Sequence, residues 1–178
     1  MARMFDDPLL GVARALILVC MVFVGAGVVL CLLGVPLALI GPDLLTEAWA
    51  EEASAPPSSA TLGAMAGMLA LTAALLALLF LFLREMKRII DTVAEGDPFI
   101  PANAERLRGM AWLMLGIQLL ALPIGALESF IGQSLEGEAD SLSFDFDLNS
   151  LALILVLFIL ARVFRRGAQM RDDLEGTV

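Results

Sequence analysis

Four long apolar stretches divide this chain, and every lysine and arginine lies in alternate segments between or beside them. All eleven basic residues lie before the first stretch, between the second and the third, or after the fourth. The other two connections are acidic and contain neither Lys nor Arg. Segments rich in Lys and Arg resist translocation and therefore stay in the cytoplasm. The distribution predicts a chain that crosses a membrane four times, with both termini in the cytoplasm (N-in/C-in).

The length of each apolar stretch sets the predicted spans. The chain has 178 residues, 60% of them hydrophobic, and a mean hydropathy of +0.89, which is too apolar for a soluble domain. A helix needs roughly 20 apolar residues to cross the hydrocarbon layer, which places the spans at about 12–40, 61–84, 108–128 and 148–164. The last is short, and Arg162 must extend its aliphatic stem so that its charge reaches the headgroups.

The predicted fold class is all-α: a polytopic membrane protein with one domain, residues 1–178, built as a four-transmembrane-helix bundle. By the same span lengths, the outer loops cover about 42–60 and 129–147, the cytoplasmic connection about 85–107, and the cytoplasmic tail about 165–178. Helices 2 and 4 are predicted to continue into the cytoplasm. Gly96 is suited to end the second helix, and Asn103 is a suitable N-cap for the third. An apolar stripe at helical spacing follows the fourth span, formed by Val163, Gly167, Met170 and Leu174.

Small residues recur at heptad spacing on the first two spans. Lipid supplies no hydrophobic drive for helix association, so close backbone approach must supply it. The faces therefore pack against other helices of the same chain, which we favour, or against a second copy in a homo-oligomer. The candidate helix-packing residues are Gly27, Gly34, Gly63, Gly67, Ala70 and Ala74. Gln118, near the middle of the third span, is also assigned to packing, because an amide there usually bonds a neighbouring helix.

No catalytic constellation is recognisable in the sequence, which contains no histidine and two cysteines on one predicted helix. We expect a protein that is not an enzyme and that binds no cofactor and no metal. The basic residues alternate with acids near the predicted inner surface, so setting the topology explains them without a lipid-binding role. Neither direct nucleic-acid binding nor a phosphate-binding loop is indicated.

Two segments resemble a known family. They are EGDPFIPANAERLRGMAWLML, residues 95–115, and LILVLFILARVFRRGAQMRDDLEGTV, residues 153–178. Both are similar to the bacterial four-span membrane family known as domain of unknown function 2975. In the connection the matching positions are Gly96, Pro98, Phe99, Asn103, Leu107 and Arg108. In the tail they are Phe164, Gly167, Asp173, Glu175, Thr177 and Val178.

The resemblance implies a function by association. Members of that family are often encoded beside a small helix-turn-helix regulator, which suggests a membrane partner that restrains or signals to a transcription factor. The hypothesis is a non-enzymatic inner-membrane protein that contacts the lipid bilayer and binds a DNA-binding regulator at its cytoplasmic face. The candidate docking residues are Gly96, Pro98, Phe99, Asn103, Leu107, Arg108, Phe164, Gly167, Met170, Asp173 and Glu175. The alternative is a small transporter or channel component, with Gln118 facing the path.

Overall fold

Four long helices make up the described part of the protein. The computed structural model describes residues 8–40, 58–136 and 148–175. In chain order the helices are α1 (Pro8–Ile40), α2 (Ser59–Ala94), α3 (Pro101–Glu136) and α4 (Leu148–Glu175). Each is long and apolar enough to cross a membrane. In lipid a helix satisfies its own backbone hydrogen bonds, so long uncharged stretches fold this way. The predicted all-α class with four candidate spans is confirmed.

Local sequence signals set the ends of α2. At its start, the Ser58 hydroxyl accepts a bond from the Thr61 N–H at 3.2 Å, so Ser58 serves as the N-cap. At its end, Gly96 has a φ of 86°. Its N–H bonds the Val93 carbonyl, and the Asp97 N–H bonds the Thr92 carbonyl. These two bonds form a Schellman motif, which confirms that Gly96 ends this helix.

Two other helix boundaries differ from the sequence predictions. Helix α3 begins at Pro101, so the prediction that Asn103 caps it is wrong. Proline suits the first helical turn because its missing N–H would have no intrahelical partner there. The same helix continues to Glu136, eight residues into the range 129–147 that was assigned to an outer loop. Polar residues within 129–136 lower the hydropathy of that segment, but they do not interrupt the helix.

The packing divides the chain into two compact units. The first lies within residues 1–23, 78–116 and 147–178, so all four helices contribute to it. Its core contains five buried side chains from α3 and α4, surrounded by partly buried residues that include Phe82, Met86 and Phe158. The five are Leu107, Met110, Ala111, Leu157 and Ala161. Trp112 and Phe158 meet edge to face with ring centroids 5.7 Å apart.

The second unit lies within residues 24–77 and 117–146 and is packed through glycines. A Cβ placed on Gly27 would lie 3.1 Å from the Leu76 side chain, and one on Gly34 would lie 3.1 Å from Leu69. Helix α1 therefore approaches α2 closely at both positions. On the opposite side of α2, Gly67 faces Leu127 of α3 at 3.6 Å.

The remaining small residues of α2 do not share this packing. A Cβ on Gly63 would meet nothing within 4 Å, and Ala70 and Ala74 are exposed. Some residues of the heptad pattern therefore do not contact a neighbouring helix. The face on which the small residues lie is wider than the area that the neighbour covers. Gln118 is partly buried on α3.

Candidate functional site

The connection between α2 and α3 is short and extended. It follows the Schellman motif at Gly96 and comprises Asp97, Pro98, Phe99 and Ile100. Residues that precede a proline avoid the helical region, and both Pro98 and Pro101 impose this on their neighbours. The connection therefore turns the chain by its own local geometry, without a long loop.

Helix α4 packs on this connection through an aromatic pair. The rings of Phe99 and Phe164 lie 5.2 Å apart at an angle of 40°. Gly167, one turn further along α4, makes room for Phe99: an added Cβ would lie 2.8 Å from the Phe99 ring. Ala168 on the same face is buried. While the Phe99 ring holds this position, only glycine fits at position 167.

Asn103 joins the end of α2, the connection and the start of α3. Its side chain is 0% exposed. Its Nδ2 donates to Thr92 Oγ1 at 2.7 Å and to the Pro98 carbonyl at 2.9 Å. Its Oδ1 accepts from Arg106 Nη1 at 2.8 Å. The Thr92 hydroxyl donates in turn to the Ile89 carbonyl at 2.8 Å, so the amide nitrogen must supply the hydrogen of the shared bond.

Ion pairs hold the distal part of α4 to the rest of the first unit. Arg171 pairs with Asp97 of the connection, and Arg165 Nη2 lies 2.8 Å from Glu105 Oε1 of α3. A third pair links α1 to α2, with Arg14 Nε at 3.4 Å from Asp91 Oδ1. Exposed pairs contribute about 0–1 kcal/mol each, so they orient the helices more than they stabilise them.

Most of the predicted docking residues separate into two groups; of the others, Gly96 is exposed and Pro98 partly buried at the connection. One group forms what we call the connection clamp, in which α4 holds the α2–α3 connection. The clamp consists of Phe99, Asn103, Phe164 and Gly167, with Leu107 buried in the core beneath. Because Asn103 and Leu107 are buried, their side chains cannot contribute to an exposed docking surface in this conformation. This corrects the sequence prediction for those two residues.

The other group faces outward. Arg108 is exposed, and its Nη1 lies 4.0 Å from Glu105 Oε2. Val163, Met170 and Leu174 are 53%, 62% and 71% exposed. Of these three, Val163 and Leu174 belong to the predicted apolar stripe and not to the predicted docking residues. Asp173 is also exposed. Helix α4 ends at Glu175, whose side chain lies outside the described residues, as do Thr177 and Val178.

The buried and exposed faces of α4 follow separate helical patterns. Ile154, Leu157, Ala161 and Ala168 are buried, and these positions repeat on one side of the helix. Val163, Met170 and Leu174 recur seven and four residues apart on the opposite side. We call these three residues the outer stripe of α4. The helical spacing in the sequence predicted a stripe that included Gly167, whereas the Gly167 backbone lies against Phe99.

Four helices of this length and composition define a multi-pass membrane protein. The chain belongs to a family whose model, described as a protein of unknown function (DUF2975), matches residues 41–178. The match includes both the connection and α4, and it confirms the resemblance noted from the two segments. No curated protein and no solved structure matches the chain significantly.

Proposed function

We propose that this protein is a non-enzymatic regulatory protein of the bacterial inner membrane that binds a cytoplasmic protein through the outer stripe of α4. In the form that the family resemblance suggests, the partner is a helix-turn-helix transcription regulator. The observation that carries the proposal is the exposure of Met170 and Leu174, at 62% and 71%, because these two residues of the outer stripe lie beyond the fourth span. The proposal includes the orientation with both termini in the cytoplasm.

The length of α4 supports a partner in water. The helix has 28 residues, about 42 Å at 1.5 Å per residue, against roughly 30 Å of hydrocarbon. Its apolar run ends at Arg162, so Met170 and Leu174 lie two to three turns beyond the first charge. A partner that buries either side chain gains about 1.5–3 kcal/mol. Burial against a partner would therefore account for two large apolar side chains on an otherwise charged segment.

The connection clamp supports presentation of the stripe. Phe99 against Gly167, together with the Arg165–Glu105 and Arg171–Asp97 pairs, holds the distal turns of α4 at several points. A helix that is already ordered loses less conformational entropy when it binds. The family-matched residues of the connection would then act by fixing the helix on which the partner docks.

Co-purification tests the proposal, using a helix-turn-helix regulator encoded beside the gene of this chain, as the family resemblance leads us to expect. The full chain and that regulator are expressed together, and the complex is isolated from membranes in mild detergent. We expect Met170→Glu and Leu174→Glu each to reduce recovery of the regulator about tenfold or more, because each places a charge in an apolar contact. Gln169→Glu is the matched control, since it adds the same charge to an adjacent exposed position. Undiminished recovery with the Met170→Glu/Leu174→Glu double variant would refute docking on the stripe.

The transporter alternative gains no specific support. An apolar cleft of about 350 Å³ lies in the second unit, lined by residues such as Leu37, Leu62 and Leu69, with Glu128 as its one charged lining residue. Gln118 does not line this cleft. Such a lining suits hydrocarbon chains, whereas ions and polar solutes need polar groups along their path.

A further inference from the structure

A groove in the first unit combines an apolar floor with a charged end. It lies between α2 and α3 and has a volume of about 530 Å³, within the roughly 300–1,000 Å³ typical of small-molecule sites. Leu78 and Leu81 of α2 line it together with Leu113 of α3. Arg84 of α2 and Arg106 of α3 line its other end.

The order of these residues along the two helices makes the groove amphiphilic. On α2 the leucines precede Arg84, and on α3 Arg106 precedes Leu113. Because the short connection makes the two helices antiparallel, both arginines lie at the same end. From Arg84 back to Leu78 is about 9 Å along the helix, and from Arg106 to Leu113 about 10 Å. The apolar part is therefore long enough to hold the upper part of one acyl chain.

Glu85 and Glu105 also line the groove, and each is paired with an arginine that does not line it. Glu85 Oε1 accepts from Arg88 Nη1 at 2.8 Å, and Glu105 Oε1 accepts from Arg165 Nη2 at 2.8 Å. Arg84 lies further from Glu85, with Nη2 at 3.4 Å. With Arg108, which lies 4.0 Å from Glu105, and Arg106, the cluster holds five arginines and two glutamates. The charged side chains that line the groove sum to zero, two arginines against two glutamates. The three further arginines lie beside the groove and give the cluster a net charge of +3.

Arg106 is held in place before any ligand arrives. Its Nη1 donates to Asn103 Oδ1 at 2.8 Å and to the Arg88 carbonyl at 3.2 Å. Both bonds use the same nitrogen, so the remaining N–H groups of the guanidinium can meet a phosphate. Planar guanidinium groups form paired hydrogen bonds with phosphate oxygens.

The charged end coincides with the boundary between hydrocarbon and headgroups. Arg84 is the first charge after the apolar run of α2, and the apolar run of α3 begins just after Arg108. Trp112, which lines the groove, is 56% exposed, and indole rings favour this interface. An ionic headgroup would therefore find the arginines at its own depth.

We propose that this groove binds an anionic phospholipid of the surrounding bilayer. The phosphate lies between Arg84 and Arg106, and one acyl chain runs along Leu78, Leu81 and Leu113. Basic pockets between transmembrane helices bind anionic headgroups in this way. The inference is independent of the outer stripe of α4 and of any protein partner.

Lipid titration of the purified full-length chain tests the proposal. Phosphatidylglycerol, phosphatidylcholine and diacylglycerol are titrated separately in mild detergent, and bound lipid is counted by native mass spectrometry. We expect one phosphatidylglycerol to bind with clear preference over the other two lipids. Arg84→Gln should weaken that binding about fivefold, and the Arg84→Gln/Arg106→Gln variant about 25-fold.

Two controls separate this site from general attraction by positive charge. Arg166→Gln removes the same charge from an exposed arginine of α4 that does not line the groove, and it should leave phosphatidylglycerol affinity unchanged. Arg84→Gln breaks only an exposed contact, so it should fold even if the double variant does not. Equal weakening by Arg166→Gln and Arg84→Gln would overturn the proposal. So would equal binding of phosphatidylcholine, or full displacement of the lipid by inorganic phosphate at constant ionic strength.

Discussion

Replacing Asn103 with aspartate tests the role assigned to the most buried polar side chain. The exchange keeps the shape of the side chain and turns the Nδ2 donor into an oxygen. Both current partners of Nδ2 are then acceptors without a donor: the Pro98 carbonyl, and Thr92 Oγ1, whose hydrogen is given to Ile89. At Pro98 the bond is lost and two oxygen atoms face each other. The Thr92 hydroxyl can turn to donate to the carboxylate only by giving up its bond to Ile89, so two hydrogen bonds are lost in either case.

The magnitude follows from those two bonds. Each contributes about 0.5–1.5 kcal/mol net, and the part-buried Pro98 carbonyl, left without this partner, adds up to about 1–3 kcal/mol. A stronger bond from Arg106 to the new carboxylate offsets part of this loss. We expect Asn103→Asp to lower the free energy of unfolding by about 2–4 kcal/mol. Thr92→Val, which removes one of the two partners, should cost about half as much.

Reversible unfolding by SDS in mixed micelles, followed by circular dichroism, measures these differences. Gln169→Glu is the matched control because it converts an exposed amide to an acid on α4. Surface substitutions of this kind usually stay within about 0.5 kcal/mol of the parent protein. If Asn103→Asp also stays within that margin, the Asn103 hydrogen bonds do not stabilise the connection and the reasoning above is wrong.

Three further predictions concern the connection and the orientation of the chain. Gly96→Ala should lower the free energy of unfolding by about 1–2 kcal/mol in the same assay, because a Cβ strains the backbone at a φ of 86°. Its control is Gly109→Ala, inside α3 with open space at the added Cβ, which should leave the free energy of unfolding unchanged or raise it. Arg171→Gln should cost less than about 1 kcal/mol, because its pair with Asp97 is largely exposed. A green fluorescent protein fused to the C-terminus should fluoresce, and an alkaline phosphatase fused there should be inactive; the opposite result would invert the predicted topology.

Hydropathy predicted most of the architecture, because the bilayer imposes its own length and backbone requirements. It located all four helices, and the separate cap signal of Gly96 located the end of α2. Hydropathy ended the third span at about residue 128, whereas α3 continues to Glu136, because hydropathy reports where a helix leaves lipid and not where its hydrogen bonds stop. The remaining helix ends beyond the spans depend on caps and local contacts, which a hydropathy window does not detect.

Side-chain roles in the connection were harder to predict, because they depend on partners distant in sequence. Arg165 and Glu105 are 60 residues apart, and Arg171 and Asp97 are 74 apart. Asn103 resembles a local N-cap in sequence, but its amide is used across three segments. The arginine cluster at the groove was also missed, because acids alternate with arginines along the chain. The partners of Glu85 are local in sequence, but the pairing of Glu105 with Arg165 is visible only in the structure.

The structure changes which substitutions can reveal a docking partner. Phe164, Gly167, Asn103 and Leu107 match the family motif, but all four hold the connection clamp or the core together. A variant at Phe164, Gly167 or Leu107 would disturb the packing of α4, and one at Asn103 would disturb the connection. Loss of binding in any of these variants would therefore not show that a partner touches the residue. Leu174 is most exposed on the outer stripe and makes little contribution to the core. Loss of binding on its substitution, with unfolding unchanged, is therefore the result that separates direct contact from a disturbed scaffold.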